Sequence, residues 1–189
     1  MQYFSIQWHI TEACDQRCKH CYIFSKNECK SIDSMTWDQM VRTVENCEDM
    51  CRRFHRLPYF YITGGDPILH LDFWRLMELL KGKGIPFTIM GNPFHLTDGI
   101  CQRLHECGCV RYQLSIDGMK ETHDWMRMPG SFDTTLEKIA VIKRAGIRAI
   151  IMTTVSEKNI SEIPDIIDTV VEHKADVFAF GRYVPTRGR

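Results

Sequence analysis

Apolar and polar residues alternate from Phe4 to Ile10, in the order Phe-Ser-Ile-Gln-Trp-His-Ile. A period of two predicts a strand with one buried face. From Thr36 the period lengthens. Trp37, Met40, Val41, Val44, Cys47, Cys51 and Phe54 recur every three or four residues, the stripe of a helix that buries one side. Thr36-Trp-Asp-Gln39 reads as a capping box that opens it. Pro58 to Thr63 is a short aromatic strand that breaks at Gly64-Gly65. Leu71 to Lys81 is helical, with Phe73, Leu76, Met77 and Leu80 on one side and Gly82 and Gly84 beyond its end.

The alternation continues. Ile85 to Met90 is a third strand, and Thr97 caps a helix that uses Ile100, Cys101 and Leu104 and stops at Gly108. Val110 to Ile116 is a fourth strand. Thr134-x-x-Glu137 opens a fourth helix that runs to Ala145. Ile147 to Val155 is almost continuously apolar, as strands buried on both faces of a parallel sheet are. Ser161 caps the next helix, whose first turn tolerates Pro164, and Val177 to Val184 is a sixth strand.

Six strands alternating with five helices predict an α/β fold built from βαβ units around a parallel sheet. The count gives a partial (β/α)6 barrel with its sixth helix missing after the last strand. The chain of 189 residues forms one domain or most of one. The chain stops at Pro185-Thr-Arg-Gly-Arg189 with no helix to cover the last strand; either that edge is left exposed, which sheet proteins usually avoid, or a C-terminal part is missing, so residues 1–189 are expected to be a fragment of a longer chain.

Composition then narrows the function. Twenty-four basic and 24 acidic residues cancel, so no electrostatic case exists for nucleic acid or an anionic membrane. No run approaches the ~20 apolar residues of a membrane span. The start, Met1-Gln2-Tyr3-Phe4, lacks the features of a signal peptide. Nine cysteines in an unsecreted chain fit a reducing, cytoplasmic setting in which thiols act as ligands or core residues.

Three of those cysteines stand together in Cys14-Asp-Gln-Arg-Cys18-Lys-His-Cys21, on a polar loop just after the first strand. Thiolates in such spacing hold an iron–sulfur cluster or zinc. A zinc site needs a fourth ligand, with His9 and His20 nearest in sequence. The i, i+4, i+7 spacing also fits an inert helical face, although Asp15, Gln16, Arg17 and Lys19 suit a solvated loop better.

Cys14-x3-Cys18-x2-Cys21 followed by Tyr22, with Gly64-Gly65-Asp66-Pro67 and Ser115-Ile116-Asp117-Gly118, resembles the radical S-adenosylmethionine enzymes over nearly the whole chain. The resemblance implies a [4Fe–4S] cluster held by Cys14, Cys18 and Cys21. Its fourth iron is left open for S-adenosylmethionine, which reductive cleavage converts to a 5′-deoxyadenosyl radical. It also implies oxygen sensitivity and an electron donor such as a flavodoxin or ferredoxin. The ending is similar to that of peptide- and protein-modifying members that carry a C-terminal auxiliary-cluster domain. A peptide or protein substrate is therefore expected, with small-molecule cofactor biosynthesis as the alternative. A zinc-stabilised or electron-transfer module without catalysis is the reading from another class.

Working residues of parallel α/β folds gather at the carboxyl ends of strands, and every motif here falls there. By resemblance, the Gly64, Gly65, Asp66 and Pro67 segment meets the methionine ammonium, and Asp66 stands where many members have glutamate. Asn92 follows the third strand. Ser115 and Asp117 suit ribose hydroxyls or the methionine moiety, or else terminate the strand through local bonds. Arg127 is placed to hold a carboxylate or to sit solvated on the surface. His20 or Tyr22 packs on the adenine. Thr153, with Thr154 and Asn159, is a weaker ribose or adenine contact that equally suits helix capping. Cys47 and Cys51 read as core residues, Cys107 and Cys109 as structural, and Cys29 as a free thiol.

Overall fold

The computed structural model describes residues 2–24 and 33–185; Cys29 and most of the polar stretch 26–34 lie outside them. Six strands form one all-parallel sheet in sequential order: β1 (Gln2–Thr11), β2 (Arg56–Gly64), β3 (Phe87–Met90), β4 (Cys109–Ser115), β5 (Arg148–Val155) and β6 (Val177–Arg182). Helices α1 (Trp37–Arg53), α2 (Phe73–Gly82), α3 (Asp98–Glu106), α4 (Lys120–Met126), α5 (Ser131–Arg144) and α6 (Ile163–Glu172) fill the crossovers. The sheet curls into a half-barrel, as the strand and helix alternation predicts, and no helix follows β6 among the described residues.

Local chemistry sets most element boundaries. Thr36 and Gln39 form the expected capping box: Gln39 N–H donates to Thr36 Oγ1 at 3.3 Å and Thr36 N–H donates to Gln39 Oε1 at 2.8 Å. Thr97 Oγ1 caps α3 by accepting from Ile100 N–H. The helical stripes pack on one face of the sheet as a single core. Met40 and Val44, Leu76 and Leu80, Cys101 and Leu104, Ile139 and Ile142, and Ile166 and Val170 meet Phe60, Ile62, Phe87, Ile89, Leu114 and Ile151. Cys51 is buried and Cys47 packs against the core, as read from the helical stripe, and Cys107 and Cys109 are buried as the structural residues expected of them.

Three departures share one region. Helix α4 is an addition to the five expected. Its seven residues are mostly polar and carry no 3.6-residue stripe, so periodicity does not reveal it. Helix α5 begins at Ser131 rather than at Thr134. Its N-terminus is served from α4: Asp124 accepts from Gly130 N–H at 2.7 Å and Phe132 N–H at 2.9 Å, while Gly130 takes a left-handed conformation that glycine adopts without strain. Thr134 instead donates its hydroxyl to Gly130 O, so the Thr134–Glu137 box is not used. Ser161 does not cap α6, which a single 3-10 turn (Ile160–Glu162) precedes. Glu162 turns back to accept from Met119 N–H and Thr122 Oγ1.

Candidate functional site

The cysteine loop is fastened to the strand ends by backbone bonds. Gly65 N–H donates to Thr11 O at 2.8 Å and Asp66 N–H to Ala13 O at 2.6 Å, which carries the β1–β2 pairing past the strands. A side chain cannot be added here. A Cβ on Gly64 would lie 2.2 Å from Thr11 O, and one on Gly65 would lie 2.2 Å from Ala13 O. The glycine pair therefore exists because two backbones meet closely. From the other side, Lys19 N–H donates to Met126 O at 2.8 Å, so α4 holds the same loop.

A cavity of about 420 Å³ opens where the loop meets the sheet's carboxyl edge. Its wall holds Cys14, Cys18 and Cys21 together with Gly64 and Gly65, and across from them Asn92, Ser115 and Arg127. His20 and Tyr22 also line it, and Gln7, Met90, Gln113 and Met152 rise from the strands. Ten of the sixteen residues singled out from the sequence thus meet at the wall besides Tyr22, which is half exposed and bonded to His9.

Asp66, Pro67, Asp117 and Thr153 do not form part of that wall. Asp66 is fully buried behind it, against Gly91, and Pro67 starts a buried 3-10 turn. Thr153 is buried and donates its hydroxyl to Ile116 O at 2.6 Å; because alternate strand residues face opposite ways, its neighbour Thr154 reaches the cavity instead. Asn159, also buried, donates to Asp117 O and Thr154 O, which secures the loops rather than a helix.

Asp117 is a hub. Its Oδ2 accepts from Arg127 Nε at 2.6 Å and lies 3.3 Å from His20 Nε2, while Oδ1 accepts from Thr154 N–H at 2.7 Å. Its own N–H donates to His123 Nδ1 at 3.1 Å. Burial pushes the carboxyl up, but Arg127 and His20 more than offset this and hold it below the usual carboxylate range. Arg127 is not a solvated surface residue: its side chain is 14% exposed, and its guanidinium reaches toward Cys18 Sγ at 3.9 Å. Asn92 matches it on the far side, where Nδ2 donates to Cys14 Sγ at 3.3 Å and Asp15 Oδ1 at 2.5 Å.

The thiols suit a polynuclear cluster. Burial pushes Cys18 up to about 11, with Arg127 opposing, and also raises Cys14, so both need a bound cation to stay thiolate. A single tetrahedral zinc draws its sulfurs to about 3.8 Å from one another, given Zn–S bonds near 2.3 Å. Among the described residues the three thiols do not converge within 4.8 Å, whereas a cubane cluster spaces its ligands more widely. His9 and His20, the two candidates for a fourth zinc ligand, are engaged with Tyr22 and Asp117. Sequence reasoning missed Asp15, His95 and His123, which act only through contacts made by folding.

Comparison with known proteins agrees with this geometry. AdoMet-dependent heme synthase of Methanosarcina barkeri is 30% identical over 183 residues, 96% of this chain and 51% of that protein. Mycofactocin maturase MftC of Mycolicibacterium smegmatis is 26% identical over 164 residues, 85% of this chain and 40% of that one. Streptococcus suis SuiB bound to S-adenosylmethionine superposes with a TM-score of 0.79 at 16% identity, over 99% of this chain and 42% of SuiB. This chain spans about half the length of the curated relatives it matches. No helix among the described residues is long and apolar enough to cross a membrane. Residues 8–170 match the family model described as the radical SAM superfamily; the chain belongs to that superfamily, whose members use a [4Fe–4S] cluster and S-adenosylmethionine.

Proposed function

We propose that this chain is the core of a radical S-adenosylmethionine enzyme in which Cys14, Cys18 and Cys21 hold the cluster. The observation that carries the reading is the placement of three wall-lining thiols beside the side-chain-free backbone of Gly64 and Gly65. When bound, the cluster and S-adenosylmethionine supply a 5′-deoxyadenosyl radical that takes hydrogen from an unreactive C–H bond.

The protein's own residues orient and shield. Asn92 steadies Cys14 with a donated hydrogen bond, and Arg127 sets a cation, fixed by Asp117, against Cys18. The Gly64 and Gly65 backbone admits the methionine part closely. Arg127 also offers donors suited to its carboxylate, and Ser115 and Thr154 offer hydroxyls for ribose. His20 keeps Nε2 toward Asp117, which leaves the buried, unpartnered Nδ1 for the adenine edge. Met90 and Met152 line the cavity with apolar surface, which limits water around a reactive intermediate.

The proposed substrate is a peptide or protein undergoing maturation, supported by the likeness to mycofactocin maturase MftC. A second reading, a step on a small-molecule cofactor such as a tetrapyrrole, has its own support in the 30% identity to a heme synthase. A low-potential donor of the flavodoxin or ferredoxin type is the proposed electron source.

Anaerobic reconstitution tests the core claim. About four irons per chain, and 5′-deoxyadenosine on adding dithionite and S-adenosylmethionine, are expected. One tightly held zinc with no nucleoside product would replace this reading with a structural zinc module.

A further inference from the structure

Outside the cavity, the far side of the cysteine loop carries a second cluster of ligand-type groups. Asp15 follows Cys14, Asp66 follows the glycine pair after β2, and His95 lies in the loop after β3. One ligand atom from each lies within 4.8 Å of the other two. Asp15 Oδ2 and His95 Nε2 are 3.0 Å apart, and Asp15 Oδ1 accepts from Asn92 Nδ2.

The second observation is Asp66 itself. It has no exposed surface, and although the backbone N–H groups of Asn92 and Ile68 face its carboxylate, neither oxygen makes a hydrogen bond of full geometry. The nearby Tyr112 hydroxyl does not serve it, because that group donates to Asn92 O at 3.2 Å. Two carboxylates held together, one of them buried, are relieved either by a proton or by a bound cation. The side chains of Asp15 and His95 are 29% and 39% exposed, so an ion can enter from solvent without passing through the cavity.

We propose that Asp15, Asp66 and His95 form a divalent-cation site that ties the cysteine loop to the ends of β2 and β3. Two carboxylates and an imidazole suit a first-row ion of the Mn²⁺ or Fe²⁺ kind with open positions left for water. Metal–ligand distances near 2.1 Å put ligand atoms about 3 to 3.5 Å apart. The Asp15–His95 pair already meets that spacing, and Asp66 needs a small approach. The rival is a proton shared between Asp15 and Asp66, which binds no metal.

The test uses cluster-loaded protein with the cluster oxidised, and Mn²⁺ as probe, followed by loss of the free-ion EPR signal. One Mn²⁺ per chain is expected, with binding at least about tenfold weaker in Asp66→Asn and in His95→Ala, the lower end of what losing even an outer partner costs. Iron and sulfide content should be unchanged in both. Mn²⁺ should raise the unfolding midpoint of the wild type and not of either variant, because only a ligand of the native state stabilises it. His95→Ala sits on a partly exposed loop, so it remains informative if Asp66→Asn folds poorly. Absence of Mn²⁺ binding, or binding equal in wild type and His95→Ala, overturns the site. The result is independent of the radical chemistry, which is scored separately by 5′-deoxyadenosine.

Discussion

At the scale of single residues, the buried histidine and the buried ion pair make opposite demands on pH and charge. His123 has no exposed surface, and burial, with Arg127 beside it, lowers its pKa from 6.5 to about 4. A base whose folded pKa is depressed contributes stability that is complete above its unfolded pKa and lost as pH falls. The wild type should therefore lose up to about 3 kcal/mol more than His123→Gln between pH ~6.5 and ~4; urea unfolding at stepped pH checks this, and parallel curves would refute it. Asp117→Asn leaves Arg127 without its buried partner and should cost about 3 kcal/mol or more. Combining it with Arg127→Met should recover part of that loss, because the two groups form one network. Strict additivity would mean that they act independently. Cys14→Ala, Cys18→Ala and Cys21→Ala should each abolish cofactor cleavage, whereas Cys47→Ala should cost only a little stability through a small cavity. Loss of activity in all four with folding intact would reassign the ligands.

Among the elements, the turn after β2 and the short α4 decide where the chemistry sits. Gly65→Ala forces a Cβ against the backbone of Ala13, where no flexible side chain can yield. Overpacking of this kind typically costs 1–3 kcal/mol, and here the strain falls on the link between β2 and the cysteine loop. The variant should load less iron even at temperatures where circular dichroism shows it folded; normal loading would show that the cradle is slack. Helix α1 was legible because capping and periodicity act within the segment itself. The start of α5 was not, because its cap is Asp124 on the preceding helix and no local rule finds an acceptor outside the segment. Likewise, Glu162 was spent on Met119 and Thr122 rather than on its own helix.

For the molecule as a whole, stability should be uneven. Among the described residues strand β6 pairs only with β5, whereas β3 and β4 each have two neighbours. Amides of Val177–Arg182 should exchange faster than those of β3 and β4, since edge strands open locally more readily; equal protection would indicate that something else covers β6. The alternation of periods two and 3.6 determined the class of fold and the number of strands, because those properties follow from which residues need burying, and the class of fold in turn placed any site at the carboxyl ends of the strands. The same residues told which thiols stand together, since a loop of eight positions cannot scatter them. Tertiary structure alone decided that Asp117, Asp66 and Thr153 stand behind the wall, that Thr154 takes the place at it, and that Arg127 points inward. Those outcomes depend on strand register and on contacts between groups far apart in the chain, which no local pattern encodes.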